Sequence, residues 1–445
     1  MKQYEFDFIV LKEYQATDAL NCPARGFMKI GYACKTVGVP NTEMKSCILK
    51  NVSDSKLMDL ITHNLDSLNN IIDYNISQGI PLFRISSDLI PFASHPVNSL
   101  PWHEIFAQPL ADLGKKILAS RMRVSMHPGQ YTVLNSPDNE VTSRAIKDLH
   151  YHCQVLDALG VGPEHKVILH IGGIYQNKRL SAERFLCNFK HLDKRVRSRL
   201  VVENDDKAYN IEEVLDIGVK LGVPVVFDSL HHEINPSPAP RSQADWITVC
   251  QKTWQKEDGI PKIHYSQQDP AKKPGSHSRS IGIGQFIQFY QSIPKENIDI
   301  MLEVKDKNLS AVKIINCLCG DRDIKTLEAE WSRYKYTILE CSPQAYKELR
   351  QLLCDKSQYP AMEFYTLLEN ALNSPREAGN CINAAQHVWG YFKNRATTAE
   401  REKFMALLQA YKLSRGTLAA VKGYLRKLTV EYRQSYLFDS YYFEL

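Results

Sequence analysis

No C-x-x-C pair occurs in this 445-residue sequence, although it carries 11 cysteines. That absence removes the paired-thiolate signature of structural zinc sites. Cys317 and Cys319 stand close together in "CLCG", but there is no second pair to complete a site. The opening "MKQYEFDFIVLKEYQATDAL" has acidic residues throughout and no uninterrupted apolar core, so it does not read as a secretory leader. With an odd cysteine count, this predicts reduced thiols in a cytoplasmic protein. No apolar run reaches the ~18 residues of a membrane span. Charge of either sign is not in large excess: the net is +5, compatible with a polyanionic partner without requiring one. No low-complexity tract is present, and no repeat beyond an alternation of strand-like and helix-like segments.

That alternation dominates the chain from Met28 onward. The strand candidates are "MKIGYAC", "PLFRIS", "RMRVSMH", "KVILHIG", "RLVVEN", "VPVVFDS", "IPKIHYS" and "IDIMLEV". Amphipathic stretches such as "SRAIKDLHYHCQVLDALG" separate them, with apolar residues at helical spacing and a glycine stop. Strands alternating with helices predict a parallel sheet. About eight units over roughly 250–300 residues fit closure into a (β/α)8 barrel, or TIM barrel. The rival, an open doubly wound sheet, lacks the G-x-G-x-x-G expected after its first strand. From about Trp331 only helical patterns follow. The expected organisation is an N-terminal extension over 1–27, a barrel over 28–325 and an all-α C-terminal domain over 331–445. Trp389, Tyr391 and Phe392 of the latter read as core.

The metal-capable residues are not scattered. His95, His127, His170, Glu203, Asp228, His231, His264, His277 and Glu303 all fall at or just after the C-terminal ends of seven of the eight strands. In a barrel those ends converge on one face, where active sites lie. Singly, each has a plain structural reading, as a hydrogen-bonded core histidine or a paired carboxylate. Together, several carboxylates in one mouth repel one another unless cations neutralise them. Mixed imidazole and carboxylate suits Mn2+, Zn2+ or Fe2+, and nine ligands suffice for two or three ions. Clustered ions of this kind serve mainly hydrolytic and phosphoryl-transfer chemistry. Lys262 and His264 alternate around Ile263, so both should face the same way as these ligands. A lone lysine facing an interior is costly, because its charge must be solvated or paired.

These blocks, in this order, resemble the UV damage endonucleases: "GYACK", "RISSDLIPFASH", "SMHPGQYTVLNSP", "ILHIGG", "VVENDD", "VVFDSLHH", "PKIHYSQ" and "MLEVKDK". The likeness covers about residues 28–310. It implies a TIM barrel that starts excision repair by nicking duplex DNA immediately 5′ to UV photoproducts, leaving a 3′-hydroxyl and a 5′-phosphate. It further implies a manganese-dependent cluster of up to three ions held by the nine residues above, with Glu203 and Glu303 as bridging catalytic carboxylates. Lys262 would be carboxylated on its amine. Gln130 and Tyr131 would probe the lesion, where an aromatic can stack on bases leaving the duplex. Tyr32 would also contact the lesion, although Thr36 stands where the family often has Asn. Lys272, Lys273 and Arg279 around His277 would grip phosphates. The protein is expected to act as a monomer on damaged double-stranded DNA in the cytoplasm, beside the nucleoid. The helical tail resembles a small bacterial domain of unknown function. Two other readings stay open at this point: a metal-dependent sugar isomerase on the same barrel, and a non-catalytic lesion-binding protein.

Overall fold

A computed structural model describes residues 28–294, 297–320 and 322–445; the expected N-terminal extension, 1–27, lies outside the described residues. The apolar runs become strands β1 Ile30–Ala33, β2 Leu82–Ile85, β3 Arg123–Met126, β4 Val167–His170, β5 Leu200–Glu203, β6 Val225–Asp228, β7 Lys262–Tyr265 and β8 Asp299–Leu302. They pair in chain order, all parallel, and β8 closes on β1 through Ile30↔Ile300. The closed barrel expected from the sequence is therefore the fold.

Long helices return the chain between strands: α1 Asp54–Gln78, α2 Ala107–Ala119, α3 Asn139–Ala158, α4 Lys178–Lys190, α5 Ile211–Leu221, α6 Gln243–Gln251, α7 Ile283–Ser292 and α8 Asn308–Leu318. Short polar side chains start several of them. Ser53, Asp138 and Asn177 each accept from a backbone N–H of the first turn, and Asn210 forms a reciprocal box with Glu213. Gly79 and Gly222 end α1 and α5 in left-handed conformation. Gly31 has a different role: a Cβ there would lie 1.8 Å from the Leu82 carbonyl oxygen, so only glycine lets β1 approach β2.

Inside the barrel, strand alternation separates two levels. Ile168, Val201 and Val226 form a buried apolar cluster with Trp254. Two residues further along the same faces come His170, Glu203 and Asp228. On β2 the step is from Leu82 to Arg84, and past β8 from Met301 to Glu303. Below, at the strand starts, Arg123 and Asp299 form a buried ion pair at 2.8 Å. Arg123 also donates to the carbonyls of Glu164 and Asp258, and Asp299 accepts from the Lys29 N–H at 3.1 Å. This network ties the entries of β1, β3, β7 and β8.

The rest of the chain is helical: α9 Lys325–Cys341, α10 Pro343–Leu352, α11 Ala361–Leu372, α12 Ala378–Trp389, α13 Thr398–Lys412 and α14 Leu418–Glu431. Pro343 sits inside the start of α10, behind a Ser342 cap. Trp389 and Phe392 are buried in this region's own core, as expected, and Tyr391 packs against it. The helices dock on the barrel through α7 and α8. Glu369 of α11 accepts from the Ile283 N–H at 3.0 Å and pairs with Lys313 at 2.6 Å. Asn316 donates to the Tyr365 hydroxyl at 2.8 Å.

Removing Arg123 leaves Asp299 charged and buried without its partner. Arg123→Ala should therefore lower unfolding free energy by about 3–5 kcal/mol in denaturant titration. A loss below about 1 kcal/mol would mean that the pair contributes no more than a surface bridge.

Candidate metal centre at the barrel mouth

Glu203 ends β5 with its carboxylate 1 % exposed. Three imidazoles reach it. His264 of β7 lies 2.6 Å from Oε1, and His127 and His170 lie 3.1 and 3.3 Å from Oε2. Burial alone would raise the pKa of Glu203, but these imidazoles, His264 foremost, hold it well below the usual carboxylate range. A second group overlaps the first: Glu203, Asp228 and His264 bring ligand atoms within 4.8 Å of one another, as do His127, His170 and Glu203. Glu203 belongs to both.

The hydrogen bonds around this cluster fit a cation. The Nδ1–H of His127 donates to the Pro128 carbonyl at 3.0 Å, which leaves the Nε2 lone pair aimed at Glu203. Burial pushes the pKa of His127 down to about 4 despite Glu203, so the ring is neutral near pH 7. Two acceptors thus face each other 3.1 Å apart, which a shared cation reconciles. The His231 Nδ1–H donates in the same way to the Asn204 carbonyl at 2.9 Å, freeing Nε2. Among the described residues, Asp228 Oδ2 and His264 Nε2 are buried without a hydrogen-bond partner. Burial opposes protonation of His231, yet Asp228, Glu203 and Glu303 outweigh it and raise its pKa to about 9. The site's negative field therefore favours positive charge at this position, whether a proton or a metal ion on Nε2. The donor set and these orphaned atoms mark a metal site.

Glu303, just past β8, pairs through Oε1 with Arg84 and lies 3.3 Å from His264; its Oε2 is 3.9 Å from His277. Burial opposes ionisation of Glu303, but Arg84 and His264 hold its pKa well down. His231 rides on the short helix Ser229–Ile234, whose first turn is capped by Asp228 Oδ1. Neighbouring His232 points away, against Phe227 and Trp246. Lys262 is buried on β7, and among the described residues its Nζ has no hydrogen-bond partner. Burial, then the charge of Arg123, drives its pKa far below that of a free lysine. Outside the mouth, Lys272, Lys305 and Lys307 line a cleft of about 370 Å³ with His277. Lys273 and Arg279 are exposed on the same loop.

Gln130 and Tyr131 are exposed on the β3 loop, Tyr131 by 70 %. Two expected residues lie elsewhere. Tyr32 is fully buried, its hydroxyl bonded to Thr36 Oγ1 and donating to Asn75 Oδ1, each at 2.8 Å. It faces the outer helices, and in this structure its hydroxyl is enclosed between α1 and the loop after β1. The reason is strand phase: Ala33 packs in the interior with Leu82 and Met301, so Tyr32 must point outward. His95 is exposed on the β2 loop, outside both ligand groups, with Nδ1 accepting from the Val97 N–H.

Several residues that matter here were not anticipated. Arg84 faces inward and positions Glu303. Asp148 of α3 accepts from Thr132 at 2.6 Å and Ser94 at 2.9 Å, joining the loops of β3 and β2. Asn135 donates to the Gly173 carbonyl at 2.7 Å, joining the β3 and β4 loops. Arg84 had a signal, an arginine in phase with inward Leu82. The other two had none, since polar residues on a helix or loop carry no periodicity.

Tyr32→Phe should cost about 1–3 kcal/mol of stability by stranding buried partners, with duplex affinity unchanged in a binding titration. A lesion contact would give the reverse: weaker duplex binding at unchanged stability.

The sequence pattern described as "UV-endonuclease UvdE" matches residues 28–335, and that of a "Protein of unknown function (DUF1722)" matches 335–445. The "UV DNA damage endonuclease" of Clostridium perfringens (strain 13 / Type A) is 40 % identical over 408 residues, 90 % of this chain and 96 % of the relative. The protein of the same description from Bacillus cereus (strain Q1) is 34 % identical over 283 residues, 63 % of this chain and 88 % of its own. The crystal structure of SacUVDE superposes with a TM-score of 0.62 at 38 % identity, covering 66 % of this chain and 98 % of that one. With a barrel, a buried histidine–carboxylate cluster and these relatives in agreement, the chain belongs to the UV-endonuclease UvdE family.

Proposed function

We propose that the protein nicks duplex DNA on the 5′ side of UV photoproducts by metal-assisted phosphodiester hydrolysis, with Mn2+ as the working ion. One observation carries the reading: a buried, acceptor-rich cluster centred on Glu203 lies at the mouth of the barrel, beside a cleft lined by Lys272, Lys305 and Lys307. His127, His170, Glu203, Asp228, His231, His264, His277 and Glu303 would hold two or three ions. Bound ions supply charge neutralisation at the scissile phosphate and lower the pKa of the attacking water.

The chain's own residues do the rest. Glu203 presents its two oxygens to different imidazoles, which suits a bridging carboxylate. Arg84 fixes Glu303 in place. Lys272, Lys273 and Arg279 hold phosphates on the rim. Gln130 and Tyr131 enter the deformed duplex. Damage lowers the cost of unstacking there, which supplies part of the selectivity.

Lys262 adds a further element. Burial favours the neutral form of this amine, and a neutral amine is a nucleophile for carbon dioxide. Its lone pair would attack the carbon while one Nζ proton leaves to solvent, giving an anionic carbamate. That anion would offer an acceptor near Arg84, whose Nε is also buried without a partner among the described residues.

Irradiated supercoiled plasmid should be nicked in the presence of Mn2+ and spared without it, and unirradiated plasmid should stay closed. Glu203→Gln and His264→Ala should each abolish nicking in protein whose circular dichroism is unchanged. Full activity in either variant removes that residue from the mechanism. In ¹³C-bicarbonate, the native protein should give a carbamate resonance that is lost in Lys262→Met; a native protein with a bare amine ends that part of the reading.

A further inference from the structure

The positive charge of the chain is concentrated away from the barrel. Residues 391–433 carry ten Lys or Arg against three Glu, a net +7, so the remainder is net −2. This segment contains α13 and α14. Their apolar faces turn inward, burying Phe404, Leu408, Val421, Leu425 and Leu428. Their cations turn outward: Arg401, Lys412, Arg415, Arg426, Lys427 and Arg433 are exposed. Glu402 and Glu431 are exposed on the same helices, so the surface is mixed in sign but cations outnumber acids on it.

The charged face is continuous with the mouth. A cleft of about 350 Å³ is lined by Arg376, Lys422 and Arg426, with Ala419 and Gly423 keeping the α14 surface low. A Cβ at Gly423 would meet nothing, so the groove is open there. Arg279, two residues beyond His277, donates to the Leu445 carbonyl at 3.4 Å, and Arg376 donates to the same oxygen at 2.6 Å. One carbonyl thus joins the basic rim of the barrel to the basic cleft of the helices. Two acids offset part of the charge. Glu340, fully buried, takes Lys422 at 2.9 Å and Arg376 at 3.3 Å, and Glu444 takes Arg426 at 3.1 Å. Four cations face two acidic side chains and the Leu445 main-chain oxygen at this junction.

We propose that the α13–α14 face and its cleft bind the sugar–phosphate backbone of duplex DNA running off the barrel mouth, so that the helical region is a second, lesion-independent DNA grip. This rests on the reading above, in that the duplex is placed at the mouth. The chemistry recognised is the phosphate array alone, without base readout.

The test uses the full chain and equilibrium binding to two duplexes. One has roughly 12 base pairs, about 40 Å at 3.4 Å each, and the other roughly 40 base pairs. Each is prepared with and without a central UV photoproduct. Wild type should bind the long duplex more tightly than the short one, damaged or not. In Arg426→Gln/Lys427→Gln/Arg433→Gln, affinity for the long duplex should fall roughly 10–100-fold near 0.1 M salt, with the salt slope shallower by about 2–3. Short-duplex affinity should change less than about twofold on that phosphate-contact picture, and Arg426→Lys/Lys427→Arg should behave as wild type. Equal length dependence and salt slope in variant and wild type would overturn the proposal, as would a wild type indifferent to length. Were irradiated plasmid not nicked at all, the functional reading would fall, yet binding of undamaged duplex would still decide this one.

Discussion

A single carboxylate in the wrong solvent organises the mouth of this barrel. Glu203 is almost completely withdrawn from water, where an unpaired charge is costly. Three imidazoles gather on its two oxygens. At least one of them, His127, is held neutral by burial and turns a lone pair toward the acid. Protein groups alone do not resolve that juxtaposition; a divalent cation does. Burial raises the pKa of Asp228; His231 opposes that rise, and the charges of Glu203 and Glu303 add to it. The negative field is therefore a built property of the cavity. The apolar layer of Ile168, Val201 and Val226 beneath it keeps the region dry, which preserves the strength of that field.

The column of inward side chains extends below this level. Arg123 and Asp299 neutralise each other at the strand starts and spend their remaining donors and acceptors on backbone groups of neighbouring strands. Lys262 stands between that pair and the acidic mouth. It neighbours Asp299 in register but gains no hydrogen bond from it, because Arg123 already occupies a carboxylate oxygen. Its burial without a partner follows from the floor being complete without it. Among the described residues, its amine and the Arg84 Nε in the level above are both buried without a hydrogen-bond partner.

Much of this was legible in the sequence because a barrel converts chain position into spatial position. Any residue at the end of a strand must arrive at one rim, so Glu203, Asp228 and His264 could be grouped from spacing alone. The same rule, applied to phase, turns Tyr32 outward: with Ala33 inward, its neighbour has to face the helices. His95 escapes the rule because it lies ten residues beyond β2, in a loop whose path strand periodicity does not set. Asp148 and Asn135 escape it for another reason. Their roles come from side chain to loop hydrogen bonds between distant segments, and nothing local in the chain records such a partner.

The helical region poses a separate physical question. SacUVDE matches 66 % of this chain while using 98 % of its own length, so a barrel of this kind folds without an equivalent addition. The C. perfringens relative aligns over 408 residues, more than the barrel holds, so it carries much of the helical region as well. In this chain the helical region docks on α7 and α8, and none of its residues belongs to either ligand group. What it can alter is how the substrate is held, and electrostatic attraction is the force that reaches across such a distance. Arg279 of the barrel loop and Arg376 beside the α14 cleft meet on one oxygen of Leu445, and the proposed grip would extend from that junction over α13 and α14. Phosphate contacts made there add affinity for every duplex equally. On the proposed grip they would lengthen residence on DNA without discriminating damage.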